Sequence, residues 1–291
     1  MNAEYRALYL RRIEALTCKQ EKIRRGLQMA PTLMRTLQSC RALVHYGPWR
    51  HAARAMIRMA RPPQAETGRR QEYPLQFDCP RVLESLRADG NAVAGILSPD
   101  ILRRLGQATI SLPPGEYADL DDIPDVRLLV QCSAVMEVVR GYLRAEPELL
   151  ECNLVVAQAE DPHKPLPYDS QRRFHFDYAG WHSLNLFIYL SDVSQGSGAH
   201  QVVIGTHRSR KAWDAIRGAV PDDEIQQRYP NRLRTIAGPA GTMFFEDTSA
   251  FHRRQIHTKR RVMLNSLYAS HRGWLSKGRL VPKYSEFFAP T

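Results

Sequence analysis

Residues 172–192 read Arg-Arg-Phe-His-Phe-Asp-Tyr-Ala-Gly-Trp-His-Ser-Leu-Asn-Leu-Phe-Ile-Tyr-Leu-Ser-Asp. Two strand-like runs, Arg173–Asp177 and Ser183–Leu190, are joined here by a short turn with no room for a helix. Working outward, further strands are expected at Leu154–Ala159, Gln201–Ile204, Gly241–Glu246 and Arg261–Ala269, with turns such as Ser194–Gly198 between them. Short strands without long intervening helices predict an antiparallel sandwich or jelly roll. Residues 207–235 interrupt it as a polar, partly helical insertion. Upstream, helices are expected near 80–88, 99–106 and 133–145. Ser98-Pro99-Asp100 starts the second of these, with a capping hydroxyl, Pro at the first helical position and an acid in the first turn.

The same stretch carries the chemistry. Side chains alternate faces along a strand, so His175 and Asp177 point the same way and Phe176 the other. An imidazole nitrogen and a carboxylate oxygen then converge on one ion. Alone, His-x-Asp is a weak signal, because a structural His–Asp pair is its commoner cause. His252 adds to it, following the strand Gly241–Glu246 and a turn. Two His and one carboxylate on one face of a β-scaffold leave coordination positions open, the facial set suited to non-haem Fe(II) and oxygen chemistry. Arg261 opens the last strand, where an inward guanidinium pairs with a carboxylate in a bidentate fork.

These segments together resemble the phytanoyl-CoA dioxygenase family of Fe(II)- and 2-oxoglutarate-dependent oxygenases. His175-Phe-Asp177 resembles the family's H-x-D. Asn185–Val193 followed by Gly198–His207 resembles its strand, glycine turn and VV-x-G-[ST]-H run. Gly241–Phe245 with His252 resembles the segment that delivers the distal ligand, and Asp89-Gly90 through Pro99 resembles the opening strand and helix start. The resemblance spans about residues 80–270. It implies an α+β protein with a double-stranded β-helix (jelly-roll, cupin-like) core, packing helices, and Fe(II), 2-oxoglutarate and O2 as cofactor and cosubstrates. His175, Asp177 and His252 become the iron ligands, and Arg261 the partner of the distal carboxylate of 2-oxoglutarate. The implied reaction hydroxylates an unactivated C–H bond of a small-molecule or glycolipid/sugar substrate, with succinate and CO2 as coproducts. The distal His-to-Arg gap is shorter than the family's, which leaves Arg260 as a rival, and the usual proline before Gly205 is Ile204. Spacing to Ala269-Ser270 favours Arg261, and strand alternation lets only one of the pair face inward.

Other residues carry weaker expectations. Phe187 is expected to line the cosubstrate pocket and Gln158, on the strand before the triad, to bond the cosubstrate. Trp181 and His182, in the turn after Asp177, are expected to meet substrate. His200, His207 and His257 are read as turn-capping or surface residues in preference to substrate acids or bases.

The chain has 291 residues, 43% hydrophobic and 24% charged, too balanced for a disordered chain and long enough for a substantial core. Five Cys without a C-x-x-C pair argue against a disulfide scaffold or zinc ribbon and for a reducing cytosol. No apolar run is long enough to span a membrane, and early charges disfavour a secretory signal, so a cytoplasmic location is expected. The whole excess of +11 lies in residues 1–70, which carry 15 bases against four acids. That pattern divides the chain into a basic helical region (1–61), a linker (62–75) and a neutral oxygenase domain (76–291), and nucleic-acid binding is not expected. Within the basic region, Arg50, Arg54, Arg58 and Arg61 form a stripe beside Trp49, Met56 and Ile57. Two readings follow: a helix on the anionic inner face of a membrane, or one docked on its own protein with a solvated basic back. A contrary functional class is a non-catalytic jelly-roll binding protein acting through these helices on membrane or other anionic partners.

Overall fold

The computed structural model describes residues 46–64, 73–117, 125–161, 171–177, 179–209 and 219–271, with Cys40, Leu43, Val44, Leu120, Ile123, His163 and Asp214. The helices among the described residues include α1 (Arg50–Ala60), α2 (Cys79–Asp89), α3 (Pro99–Thr109), α4 (Val126–Gln131), α5 (Ser133–Leu143) and α6 (Asp222–Arg228). Nine strands are β1 (Asn91–Ile96), β2 (Gly115–Tyr117), β3 (Glu148–Ala157), β4 (Ser183–Tyr189), β5 (His200–Val203), β6 (Leu233–Ile236), β7 (Thr242–Glu246), β8 (His252–Arg254) and β9 (Arg261–Ala269). They form two antiparallel sheets, one in the order β1-β7-β4-β9-β3-β2 and one in the order β6-β5-β8.

Strand alternation divides the large sheet cleanly. Leu184, Leu186 and Ile188 of β4, Met243 and Phe245 of β7, and Val262 and Leu264 of β9 face the helices. There they meet Val82 and Leu86 of α2, Ile101 and Leu105 of α3, and Val135, Val138 and Val139 of α5. The opposite-parity residues Phe187, Tyr189, Phe244 and Met263 face Ala199, Val202 and Ile236 of the small sheet. This second face also carries Asn185, Glu246, Arg261 and Asn265, so it is the polar one. The fold thus separates an apolar helix-side core from a polar interior between the sheets.

The last strand runs as expected from Arg261 to Ala269. β3 begins six residues earlier than expected, because a bulge between Leu149 and Glu151 breaks the alternation that would have shown it. Arg173–Asp177 is not a full strand; Phe174 and His175 make single bridges, to Val220 and His252. Tyr73 and Leu75, expected in the linker, are buried in the helix-side core. The folded unit therefore starts before residue 76. Cys79, Cys132 and Cys152 are buried free thiols and Cys40 an exposed one. No helix among the described residues is long and apolar enough to cross a membrane.

The basic stripe lies the other way round from either expectation. Arg50 and Arg54 turn inward, Arg61 pairs with Glu148, and Trp49, Met56 and Met59 are the exposed side of α1. The Arg61 carbonyl also accepts from the Glu146 amide at 3.0 Å, which ties the end of α1 to the start of β3.

Two glycines set a stability test. Gly90 closes α2 at φ +81°, and a Cβ there would stand 2.5 Å from His207 Nδ1. Gly106 lies inside α3 with open space around it. Gly90→Ala should lower unfolding stability by at least about 1–2 kcal/mol, the cost of a left-handed Cβ. Gly106→Ala should raise it by about 0.5–1 kcal/mol. Urea denaturation of both variants checks the pair.

Candidate metal centre

The site begins with two backbone hydrogen bonds. The His175 amide donates to the His252 carbonyl at 3.0 Å, and the His252 amide donates back to His175 at 2.8 Å. Such a reciprocal antiparallel pair sets the two side chains next to each other on one face. Their ring centroids lie 4.4 Å apart. Asp177, two residues on, returns to the same face, and its amide is fixed by the Thr248 carbonyl at 2.8 Å. One ligand atom from each of His175, Asp177 and His252 lies within 4.8 Å of the others, and His252 Nε2 is 3.8 Å from Asp177 Oδ2. Ligands about 2 Å from a shared ion stand at most about 4 Å apart, a limit that the His252–Asp177 pair meets.

The hydrogen bonds also choose the tautomers. His175 Nδ1 is 2.8 Å from the Arg173 carbonyl and His252 Nδ1 is 3.1 Å from the Ala250 carbonyl. A carbonyl only accepts, so Nδ1 carries the proton in both rings and Nε2 presents its lone pair. Burial, chiefly, lowers the pKa of His252 to about 4 and keeps the ring neutral, the form a metal takes. Two imidazole nitrogens and one carboxylate oxygen, with one side left open, suit Fe(II).

Behind His252 lies a buried pair that local reading missed. His200 stacks on His252 at 5.4 Å and 13°, and its Nε2 is 2.9 Å from Glu246 Oε1. Burial pushes Glu246 up to about 8 and His200 down to about 3, so both are driven toward their neutral forms. Asn91 Nδ2 donates to the other Glu246 oxygen at 3.3 Å. The signal was there: in Thr242–Glu246, alternation sets Glu246 on the inward face with Phe244.

Arg261 is 3% exposed and belongs to the inter-sheet face of β9. One arm, Nη1, donates to the Gly198 carbonyl, and Nε has no partner among the described residues. Burial lowers its pKa to about 10, so it stays charged at neutral pH. Arg260, the rival, points elsewhere: its Nη2 donates to the carbonyls of Thr109 at 3.0 Å and Leu112 at 3.2 Å. Phe187 is buried on the inter-sheet face, stacked on Phe244 and 5.2 Å from the His200 ring.

The remaining expectations need correction. Gln158 lies one residue past β3 and is exposed. His182 is buried against Tyr142, with ring centroids 5.0 Å apart, and is not a solvent-facing substrate contact. His200, His207 and His257 are all buried, not surface residues. His200 meets Glu246 from another strand, which local spacing does not show. Trp181 is half-buried, and its carbonyl is the point of contact with α1.

That contact supports the site from outside. Arg54 Nε and Arg50 Nε donate to the Trp181 carbonyl at 2.7 and 3.2 Å. The Tyr46 hydroxyl donates to the carbonyl of Asp177 itself at 2.5 Å, and its ring packs edge-on against Phe176 at 5.6 Å. Burial lowers the pKa of Arg54 to about 10. The residues before and within α1 therefore hold the turn that carries the carboxylate. Tyr46→Phe should weaken Mn(II) binding about tenfold, in the range for removing a partner that orients a ligand. Calorimetric titration with Mn(II), alongside an unchanged far-ultraviolet spectrum, is the check.

No family model matches the sequence, and no curated protein matches it. Solved structures do. The non-heme alpha ketoglutarate dependent epimerase SnoN from nogalamycin biosynthesis matches with a TM-score of 0.53 at 15% identity, over 70% of this chain and 91% of that one. EctD from S. alaskensis, in a structure with bound Fe, matches with a TM-score of 0.50 at 17% identity, over 72% of this chain and 82% of that one. At such identities the likeness establishes a shared fold, so the two-sheet architecture described above is the one that SnoN and EctD also have.

Proposed function

We propose that this chain is an Fe(II)- and 2-oxoglutarate-dependent oxygenase that hydroxylates an unactivated C–H bond of a small molecule. The observation that carries the reading is the meeting of His175, Asp177 and His252 on one face, with one ligand atom from each within 4.8 Å of the others. Resemblance to the phytanoyl-CoA dioxygenase family supports it, and so does a fold shared with an alpha ketoglutarate dependent enzyme.

When bound, iron with a chelated 2-oxo acid supplies the oxidising power, as O2 is consumed and the 2-oxo acid loses CO2 to become succinate. The residues of the chain do the rest. His175, Asp177 and His252 would hold the ion. Arg261 provides a buried positive charge for the distal carboxylate, and Phe187 and Met263 close the inter-sheet space against water. Tyr46 and Arg54 keep the Asp177–Trp181 turn in place. The non-catalytic reading is not favoured, because a binding module has no need of this donor set beside a buried, half-partnered arginine.

The chain incubated with Fe(II), 2-oxoglutarate and O2 should release succinate and CO2, and His175→Ala should abolish the release while the protein stays folded. Absence of succinate from correctly folded, iron-loaded protein would overturn the reading. Arg261→Ala should raise the KM for 2-oxoglutarate at least tenfold, as expected when a charge-assisted pair is lost. Arg260→Ala should leave KM unchanged and instead lower stability by about 1 kcal/mol, because two backbone carbonyls lose their donor.

A further inference from the structure

We infer that His257 is a second residue gripping the distal carboxylate of the 2-oxo acid, beside Arg261. The inference rests on the oxygenase reading and adds to it a residue that the family resemblance does not supply. His257 is 2% exposed, and its Nε2 is buried without a hydrogen-bond partner among the described residues. Its other nitrogen is accounted for. Nδ1 lies 3.0 Å from Arg254 Nη1 and 3.6 Å from Glu160 Oε1. The first is hydrogen-bond distance to a group that can only donate; the second is too long for a hydrogen bond. Nδ1 therefore accepts, and the proton of the neutral ring sits on Nε2.

The ring is neutral because burial, then the charges of Arg261 and Arg254, lower its pKa to about 4. Its orientation is fixed from behind. Arg254 forms two bonds to Glu160, at 2.5 and 2.8 Å, and the Glu160 amide donates to the His257 carbonyl at 2.7 Å. Burial alone would raise the pKa of Glu160, but Arg254 and the His257 amide outweigh it and hold it down at about 2, so the anchor stays charged.

Two buried N–H groups therefore await an acceptor, Nε2–H of His257 and Nε–H of Arg261. They belong to neighbouring side chains. A Cβ placed on Gly198 would stand 2.8 Å from His257 Nε2 and 3.2 Å from Arg261 Cδ. Gly198 has φ +81°, and the absence of a side chain there makes room for both. Arg261 Nη1 is already committed to the Gly198 carbonyl, so the guanidinium offers its Nε edge. Orphaned buried donors are costly, and one carboxylate with two oxygens satisfies this pair.

The test is calorimetric titration of the full, Mn(II)-loaded chain with 2-oxoglutarate and with 2-oxopentanoate, the five-carbon analogue lacking the distal carboxylate. His257→Asn keeps an acceptor facing Arg254 but lacks the Nε2 donor. It should weaken 2-oxoglutarate binding about tenfold and leave 2-oxopentanoate within twofold. His257→Gln restores a donor at the Nε2 reach and should hold 2-oxoglutarate within about threefold of the parent. Equal weakening of both acids by His257→Asn would make His257 a structural residue only, and an unchanged 2-oxoglutarate affinity would likewise overturn the inference. If the unaltered protein itself does not prefer 2-oxoglutarate, the underlying assignment of this pocket fails, and His257 with it.

Discussion

The site depends on one reciprocal pair of backbone hydrogen bonds, between His175 and His252. It joins two segments far apart in the chain and makes their imidazoles cross-strand neighbours. Once that register is set, strand alternation brings Asp177 to the same face without further instruction. A slip of one residue would turn His252 away and present Phe251 or Arg253 instead. Phe251 resists such a slip, because it is buried with Phe174 and Phe176 in a cluster on the other face. Apolar packing on one side thus holds the polar register on the other.

The interior between the sheets is organised by desolvation. Charged groups there are either paired, as Arg254 with Glu160, or driven toward neutrality, as Glu246 and His200 are. Arg261 is the exception: it stays charged, and only part of its guanidinium is satisfied. A buried cation in that condition is costly unless an anion arrives, and the proposed function supplies one in the distal carboxylate. The two ends of this interior differ in kind: His175, Asp177 and His252 gather around one carboxylate, whereas Arg261 keeps a buried positive charge.

Much of this was legible in the sequence for a definite reason. His175 and Asp177 are two residues apart on an extended segment, so their shared face follows from geometry alone, and β9 announced itself by unbroken alternation from Arg261. What stayed hidden depends on partners distant in the chain. The amphipathic pattern of α1 shows that its faces differ but not which one docks; here the arginines find the Trp181 carbonyl and leave Met56 and Met59 outside. The burial of His200 and His257 goes with partners far along the chain, Glu246 and Glu160. The bulge at Leu149–Glu151 concealed the start of β3 by shifting the period on which strand recognition relies.

The central claim is that His175, Asp177 and His252 hold one iron with positions left for a chelating 2-oxo acid. The direct measurement is anaerobic absorption spectroscopy during Fe(II) addition in the presence of 2-oxoglutarate. Chelation of Fe(II) by a 2-oxo acid produces a visible metal-to-ligand charge-transfer band. The account predicts that this band grows to saturation at one iron per chain and is lost in His252→Ala. Iron binding without the band, or a band of equal strength in His252→Ala, would contradict it.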